Sequence, residues 1–180
     1  SLVQARLTTD GGPIFWGAVL ELTDGTRLEA SGRYLEEDVL AGRTSQQAWR
    51  EGYAAILGFR SFLAQLTGKV VLHLSDCACV VRAMDCGSIS SPLLHQQAVD
   101  MWHLTASIGA LVYSGWVPGT EVIAIGADYL SREGAEDAWG YSLGPSFLTR
   151  VNDLLSRQGW CLTVDLFAQA DNARTRRFWS

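Results

Sequence analysis

Asp10, Glu51, Asp76 and Asp128 are the residues of this 180-residue chain whose type and placement could do chemistry. A carboxylate at the end of a buried strand is costly unless something neutralises it, and a divalent cation is the usual answer. Asp10 stands in such a place. The run 7–20, LTTDGGPIFWGAVL, alternates apolar residues up to Asp10, turns at Gly11-Gly12-Pro13, and returns. Glycine there supplies positive φ, and proline sets the entry of the next strand. Asp76 follows KVVLHLS, residues 69–75, a near-continuous apolar run of the kind found in a central strand covered on both faces. It precedes CACVVRAM, a short helix, so it sits at the carboxyl end of a strand, where open α/β sheets place their sites. It would serve equally as a helix N-cap. Glu51 shares a helix face with Ala55, Gly58 and Phe62, whose small members let a helix lie close on a sheet. A glutamate there either faces a charge or is solvated near the helix start, where the dipole favours it. Asp128 falls in the first turn of a helix, where acidic residues are common. Its neighbours Ala124, Gly126 and Ala127 imply close packing that would turn it inward.

The other reactive residues carry less. Cys77, Cys79, Cys86 and Cys161 are too few and too unevenly spaced for a disulfide scaffold, and there is no C-x-x-C pair. Cys77, Cys79, Cys86, His95 and His103 could be drawn as a zinc site, but residues two apart point to different sides of a helix. Reduced, partly buried thiols are the simpler reading. The net charge of −5 weighs against an autonomous grip on nucleic acid. Two divalent cations on four carboxylates would offset most of it.

These residues need elements to hold them. With 48% hydrophobic and 18% charged residues, the chain can bury a substantial core. It shows no membrane-length apolar run and no signal-peptide pattern, so a soluble, intracellular protein is expected, with cytoplasm and nucleus both open. Ser1 reads as a cloning remnant and the stop at Phe178-Trp179-Ser180 as the edge of a fragment. Residues 2–9, 14–22 and 26–34 read as antiparallel strands, the last two joined by a type I′ turn at Asp24-Gly25. Residues 36–43 read as a polar connection. A helix capped by Thr44 or Ser45, with Gln46 or Gln47 completing the capping arrangement, runs to about Leu66. Pro92 opens another, to about Tyr113, and Val117-Pro118-Gly119 interrupts a strand-like segment before 121–125. A Gly- and acid-rich stretch, 133–144, marks a boundary. The expected organisation is thus a domain at 1–135 and a C-terminal extension at 136–180. The extension reads as a helix carrying Phe147, Leu148, Val151, Leu154 and Leu155, a strand at 161–168, and a tail. Arg174, Arg176, Arg177 and Trp179 in that tail could bind phosphate and stack on bases, or form an ordinary frayed end.

The order strand Asp10, helix Glu51, strand Asp76, helix Asp128, with three antiparallel strands before the first helix, resembles the ribonuclease H fold and its four-carboxylate site. TTD at the first strand end, SD at the fourth and AD in the last helix agree with it. Transposases and integrases of the superfamily take their third acidic residue from a late helix, whereas Glu51 lies between Asp10 and Asp76. VPGTEVIAIGADYLSR is similar to the PG-x-x-N-x-x-AD-x-LSR segment of retroelement ribonuclease H domains. AAILGFRSF after Glu51 and the later TVDLFAQADN are similar to DIRS-type tyrosine-recombinase retrotransposons. Two departures stand out: Cys77 replaces the usual asparagine after Asp76, and Gly11-Gly12 replace Ala-Ser.

The resemblance implies an α/β fold, a five-stranded mixed sheet flanked by helices, with a C-terminal helix-strand extension. It implies a metal-dependent endonuclease that cuts the RNA strand of RNA–DNA hybrids during reverse transcription, with a reverse transcriptase domain upstream in the same polypeptide and no membrane partner. Two Mg²⁺ ions, with Mn²⁺ able to substitute, would be held by Asp10, Glu51, Asp76 and Asp128, which would also be the catalytic residues. Asp10 would bridge the ions, Glu51 and Asp76 would complete one site, and Asp128 the other. Two alternatives accompany this reading. One is a catalytically silent scaffold or domesticated interaction module of the same fold, in keeping with the acidic balance and the two departures. The other is a different metal nuclease of the superfamily, a resolvase or an exonuclease.

Overall fold

A strand buried on both faces from Leu7 to Gly11, β1 (Ala5–Gly11), lies at the centre of a five-stranded mixed sheet. β2 (Phe15–Leu22) and β3 (Arg27–Arg33) extend it antiparallel on one side, and β4 (Val70–Ser75) and β5 (Leu111–Trp116) extend it parallel on the other, in the order β3-β2-β1-β4-β5. This is the expected sheet. The computed structural model describes residues 2–87 and 91–132, with the backbone of two short strands at 164–165 and 177–178. The chain divides into two units, Ser1–Ala135 and Glu136–Ser180.

Helix α2 (Gln47–Ser61) lays Ala55, Ile56 and Phe59 against Leu7, Ala18 and Leu20 of the sheet, and α5 (Pro92–Ser107) adds Leu94, Ala98 and Met101 to this main core. Fully burying side chains such as Ile56 and Phe59 contributes about 1.5–3 kcal/mol each. A smaller cluster, Val19, Leu74, Val117, Val122 and Ala127, packs beneath the short helices α6 (Gly119–Ile125) and α7 (Ala127–Ser131). Inside the sheet, fully buried His73 hydrogen-bonds Thr9 Oγ1 at 2.9 Å and Ser114 Oγ at 3.3 Å, linking β1, β4 and β5. Burial drives its pKa down to about 4, so a neutral ring makes this link at physiological pH.

Several elements differ from their sequence reading. Residues 36–43 contain a helical turn, α1 (Glu36–Leu40), stabilised because buried Asp38 takes a 2.6 Å bond from Arg43 Nη1. α2 starts without a side-chain cap; Thr44 and Ser45 belong to a 3₁₀ turn (Arg43–Ser45). The helix breaks at Phe62 before a short α3 (Leu63–Leu66). α4 (Ala78–Cys86) is capped at its start by Cys77, not Asp76. α5 stops well before Tyr113, because Gly109 turns the chain at φ 62° into β5. Residues 119–125 form a helix where a strand was expected. Extended Pro118 precedes it, Gly126 at φ 96° ends it, and Val122 and Ile125, one helical turn apart, meet the smaller core. The Asp24-Gly25 turn is not type I′, since only Gly25 has positive φ. Its bonds, Gly25 N–H to Leu22 O and Leu22 N–H to Thr26 O, make a three-residue connection.

In the second unit, β6 (Val164–Asp165) and β7 (Arg177–Phe178) pair in parallel. The helix expected around 147–155, and Arg174, Arg176 and Trp179, lie outside the described residues. Arg177 contributes backbone to β7.

Candidate metal centre

Register builds the centre. Adjacent parallel strands lie about 4.8 Å apart, and Thr8 of β1 stands beside Leu74 of β4. Two residues further along each strand come Asp10 and Asp76, so the pairing delivers both carboxylates to one end of the sheet. Glu51 arrives from α2, whose first turns are clamped to the end of β1. Gly11 N–H donates to Glu51 Oε2 at 3.1 Å, and Arg50 Nε donates back to Gly11 O at 3.1 Å.

One carboxylate oxygen from each of Asp10, Glu51 and Asp76 lies within 4.8 Å of the others. Asp10 is 8% exposed and Glu51 3%, with Asp76 half-buried. Burial raises the pKa of Asp10, and the charges of Asp128 and Asp76 add to that, against the hydrogen bond from Ser131. Burial pushes Glu51 up to about 8, with Asp10 and Asp76 contributing. Arg132 and Arg50 offset these effects only in part. Two buried carboxylates and a half-buried third, with no cation among the described residues paired to the cluster, suit a hard divalent ion.

Asp128 stands apart from this triad. Its charge reaches Asp10, but its Oδ1 takes a 2.7 Å ion pair from Arg132 Nη2, one turn along. The link between α7 and the triad is Ser131, whose hydroxyl contacts Asp10 Oδ2 and also the Asp128 carbonyl. Ser131 was not singled out from the sequence, although it sits three residues after Asp128, the spacing of one helical turn.

Glycines make the close approaches possible. Neither Gly11 nor Gly12 has positive φ, so the turn chemistry expected of them is overturned. β1 continues through Gly11, which pairs with Trp16. A Cβ at Gly11 would fall 2.5 Å from the Arg50 carbonyl carbon; one at Gly12 would overlap the Ser131 carbonyl, and one at Gly17 the Ala127 carbonyl. These positions are bare so that α2 and α7 can reach the carboxylate end of the sheet.

Cys77 and Cys79 also depart from their sequence reading. Cys77 precedes the helix with extended backbone, so the rule that residues two apart diverge does not apply, and the two sulfurs lie 3.2 Å apart. Burial and this contact push the Cys77 thiol up to about 12, which leaves it protonated and unsuited as a resting zinc thiolate. Cys86 is exposed, and Cys161 lies outside the described residues.

No protein-family model matches the chain, and no curated protein matches it. Solved structures do. Ribonuclease H1 from the halophilic archaeon Halobacterium salinarum NRC-1 is 20% identical, with a TM-score of 0.57 over 74% of this chain and 98% of that one. LC11-RNase H1, solved in complex with an RNA/DNA hybrid, is 19% identical, with a TM-score of 0.57 over 71% and 93%. The N-terminal RNase H domain of a Mycobacterium tuberculosis protein is 23% identical, with a TM-score of 0.53 over 71% and 95%. Sheet order, helix placement and this structural likeness together give the chain a ribonuclease H-like fold.

Proposed function

We propose that this chain is a metal-dependent endonuclease that hydrolyses the RNA strand of RNA–DNA hybrids. The observation that carries the reading is the triad: Asp10, Glu51 and Asp76, brought from three separate elements to within 4.8 Å, with no cation among the described residues paired to it. The likeness to ribonucleases H, one of them solved with an RNA/DNA hybrid, selects this substrate class among those that carboxylate-bound ions can serve. The acidic net charge is compatible with it, since bound cations rather than lysines would meet the phosphate.

In this reading Asp10, Glu51 and Asp76 would hold a divalent ion, Mg²⁺ or Mn²⁺, and Asp128 would help to hold a second. Bound ions supply a water nucleophile at neutral pH and Lewis-acid stabilisation of the phosphate and the leaving 3′ oxygen. The chain's own contribution is positioning. Gly11 N–H orients the Glu51 carboxylate, and Ser131 orients Asp10. Asp128 Oδ1 is paired with Arg132, which would compete with an ion for that carboxylate. The retroelement setting, with an upstream reverse transcriptase domain, is part of the same proposal and rests on the PG…AD-x-LSR segment and the downstream DLFA segment. Arg174, Arg176, Arg177 and Trp179 are proposed to bind phosphate and stack on bases.

The test is cleavage of an end-labelled RNA–DNA hybrid in Mg²⁺, alongside duplex DNA, duplex RNA and branched DNA. Cutting confined to the RNA of the hybrid and abolished by chelation is the expected result. Cutting of branched or duplex DNA instead would transfer the chain to another nuclease class. No cutting by a folded protein that still binds Mn²⁺ would leave a silent scaffold.

A further inference from the structure

Asp76 is followed at once by a pair of cysteines whose geometry the nuclease reading does not use. Cys77 is partly buried and packs on the main core, Cys79 is exposed, and their sulfurs are 3.2 Å apart. Cys86 lies seven residues further along, about 10 Å down the helix axis. We propose that Cys77 and Cys79 form a reversible disulfide by exchange with a small-molecule disulfide of the glutathione class, and that this bond shuts the metal centre beside it.

The exchange balances in two steps. Exposed Cys79, as thiolate, attacks one sulfur of the reagent; a mixed disulfide forms and one glutathione thiolate leaves. Cys77 then gives up its proton, attacks the Cys79 sulfur and displaces the second glutathione. Two protein thiols are oxidised, one reagent disulfide is reduced to two thiols, and the protein's two protons end on those thiols. Proximity drives the second step, because the resolving thiol is already in contact with the sulfur it must attack. Cys86 is too far from the pair to resolve in this way and stops at the mixed disulfide.

The centre responds because a disulfide closed across a single intervening residue constrains the Cys77 backbone as well as its side chain. A disulfide holds its sulfurs at about 2.05 Å, so the pair must close by roughly 1 Å. Cys77 N–H is bonded to Ser75 Oγ at 3.1 Å, and its carbonyl receives the Val80 and Val81 N–H groups of α4. Asp76, its immediate neighbour, is held by Trp116 Nε1 on its carbonyl at 2.9 Å. A pull on Cys77 therefore shifts the backbone of a residue whose carboxylate must meet two others. A displacement of about 1 Å in such a site costs on the order of 100-fold.

The bond and its effect on ion binding stand independently; only the activity arm rests on the nuclease reading. The experiment uses the full chain with Cys86→Ser and Cys161→Ser, treated with oxidised glutathione and followed by intact mass, Mn²⁺ calorimetry and hybrid cleavage. The expected species has lost two hydrogens and carries no adduct. Its Mn²⁺ affinity falls about tenfold or more, cleavage falls with it, and dithiothreitol restores both. Cys79→Ser in the same background forms no disulfide and keeps its Mn²⁺ affinity under oxidant; Cys79→Ala repeats the control should serine disturb the helix start. A persistent mixed disulfide, or a closed disulfide with unchanged Mn²⁺ affinity, overturns the proposal. Loss of Mn²⁺ affinity in a protein that never cuts hybrid sustains it while removing the nuclease reading. A reduced chain that binds no Mn²⁺ overturns both.

Discussion

The two acidic regions that meet at the end of the sheet are built on opposite electrostatic plans. Asp10, Glu51 and Asp76 are gathered with no paired cation among the described residues, and burial and mutual repulsion raise the pKa values of Asp10 and Glu51. Asp128, on α7, keeps a private counterion in Arg132 at 2.7 Å. The first arrangement lowers the stability of the empty protein and awaits an ion. The second is satisfied as it stands. A carboxylate cluster that carries no internal neutraliser is a stronger pointer to metal than the number of acidic residues, because folding had to bear its desolvation.

The sharpest way to test this contrast is to remove one charge from the triad. Asp10→Asn keeps an oxygen for the Ser131 hydroxyl but loses the ion-binding charge. Hybrid cleavage is expected to fall on the order of 10³-fold, several kcal/mol of transition-state stabilisation. In chelator the same variant should gain about 1–2 kcal/mol, read as a higher urea midpoint, since a desolvated charge has gone. Activity and stability moving in opposite directions is the signature; a variant that loses both would place Asp10 in an ordinary structural role.

Next in size is the pH dependence of the metal-free protein. Glu51 is raised from an ordinary 4.5 to about 8, so the folded state binds a proton that the unfolded chain has already released. The stabilisation is complete below pH 4.5 and is lost as pH climbs through about 8. At about 1.4 kcal/mol per unit, several kcal/mol should disappear across that window, measured as a falling urea midpoint in chelator. Glu51→Gln should flatten the curve. Mn²⁺ binding should release a proton at pH 7 and almost none at pH 9, seen by calorimetry in buffers of different ionisation heat. Equal stability at pH 5 and pH 8 without metal would contradict the repulsion on which the contrast rests.

The sheet and its carboxylates were legible because both follow from local pattern. KVVLHLS, near-continuous in apolar residues, reads as a covered strand ahead of Asp76, and the run before Asp10 alternates apolar residues as a strand does. Residues 119–125 were not legible: TEVIAI fits a strand by composition, and only the packing of Val122 and Ile125 on the second core decides for a helix. Gly11 and Gly12 were misread for a related reason. Sequence shows that side chains are missing but not whether the need is for positive φ or for room, and here it is room for α2 and α7. Gly17→Ala tests that account. Its methyl would meet the Ala127 carbonyl and Leu130, so a loss of about 1–3 kcal/mol is expected, with weaker Mn²⁺ binding as Ser131 is pushed from Asp10. Ser131 stood in the sequence only as part of the AD-x-LSR segment, one helical turn after Asp128, and its contact with Asp10 emerged from the fold.

The mildest effects belong to the satisfied side of the contrast. Asp128 and Arg132 form a helix-surface pair with Arg132 largely exposed, so breaking it should cost at most about 0.5 kcal/mol of stability. Asp128→Asn and Arg132→Ala therefore look alike in a urea melt and should part company in metal binding. Arg132 competes with any ion for the Asp128 carboxylate. Its removal should tighten the weaker of two Mn²⁺ sites severalfold, whereas Asp128→Asn should weaken that site and lower cleavage about tenfold, roughly 1.4 kcal/mol. Calorimetry on the two variants decides the matter. If Arg132→Ala weakens Mn²⁺ as Asp128→Asn does, the arginine orients Asp128 for the ion rather than standing in for it, and α7 belongs to the same electrostatic plan as the triad.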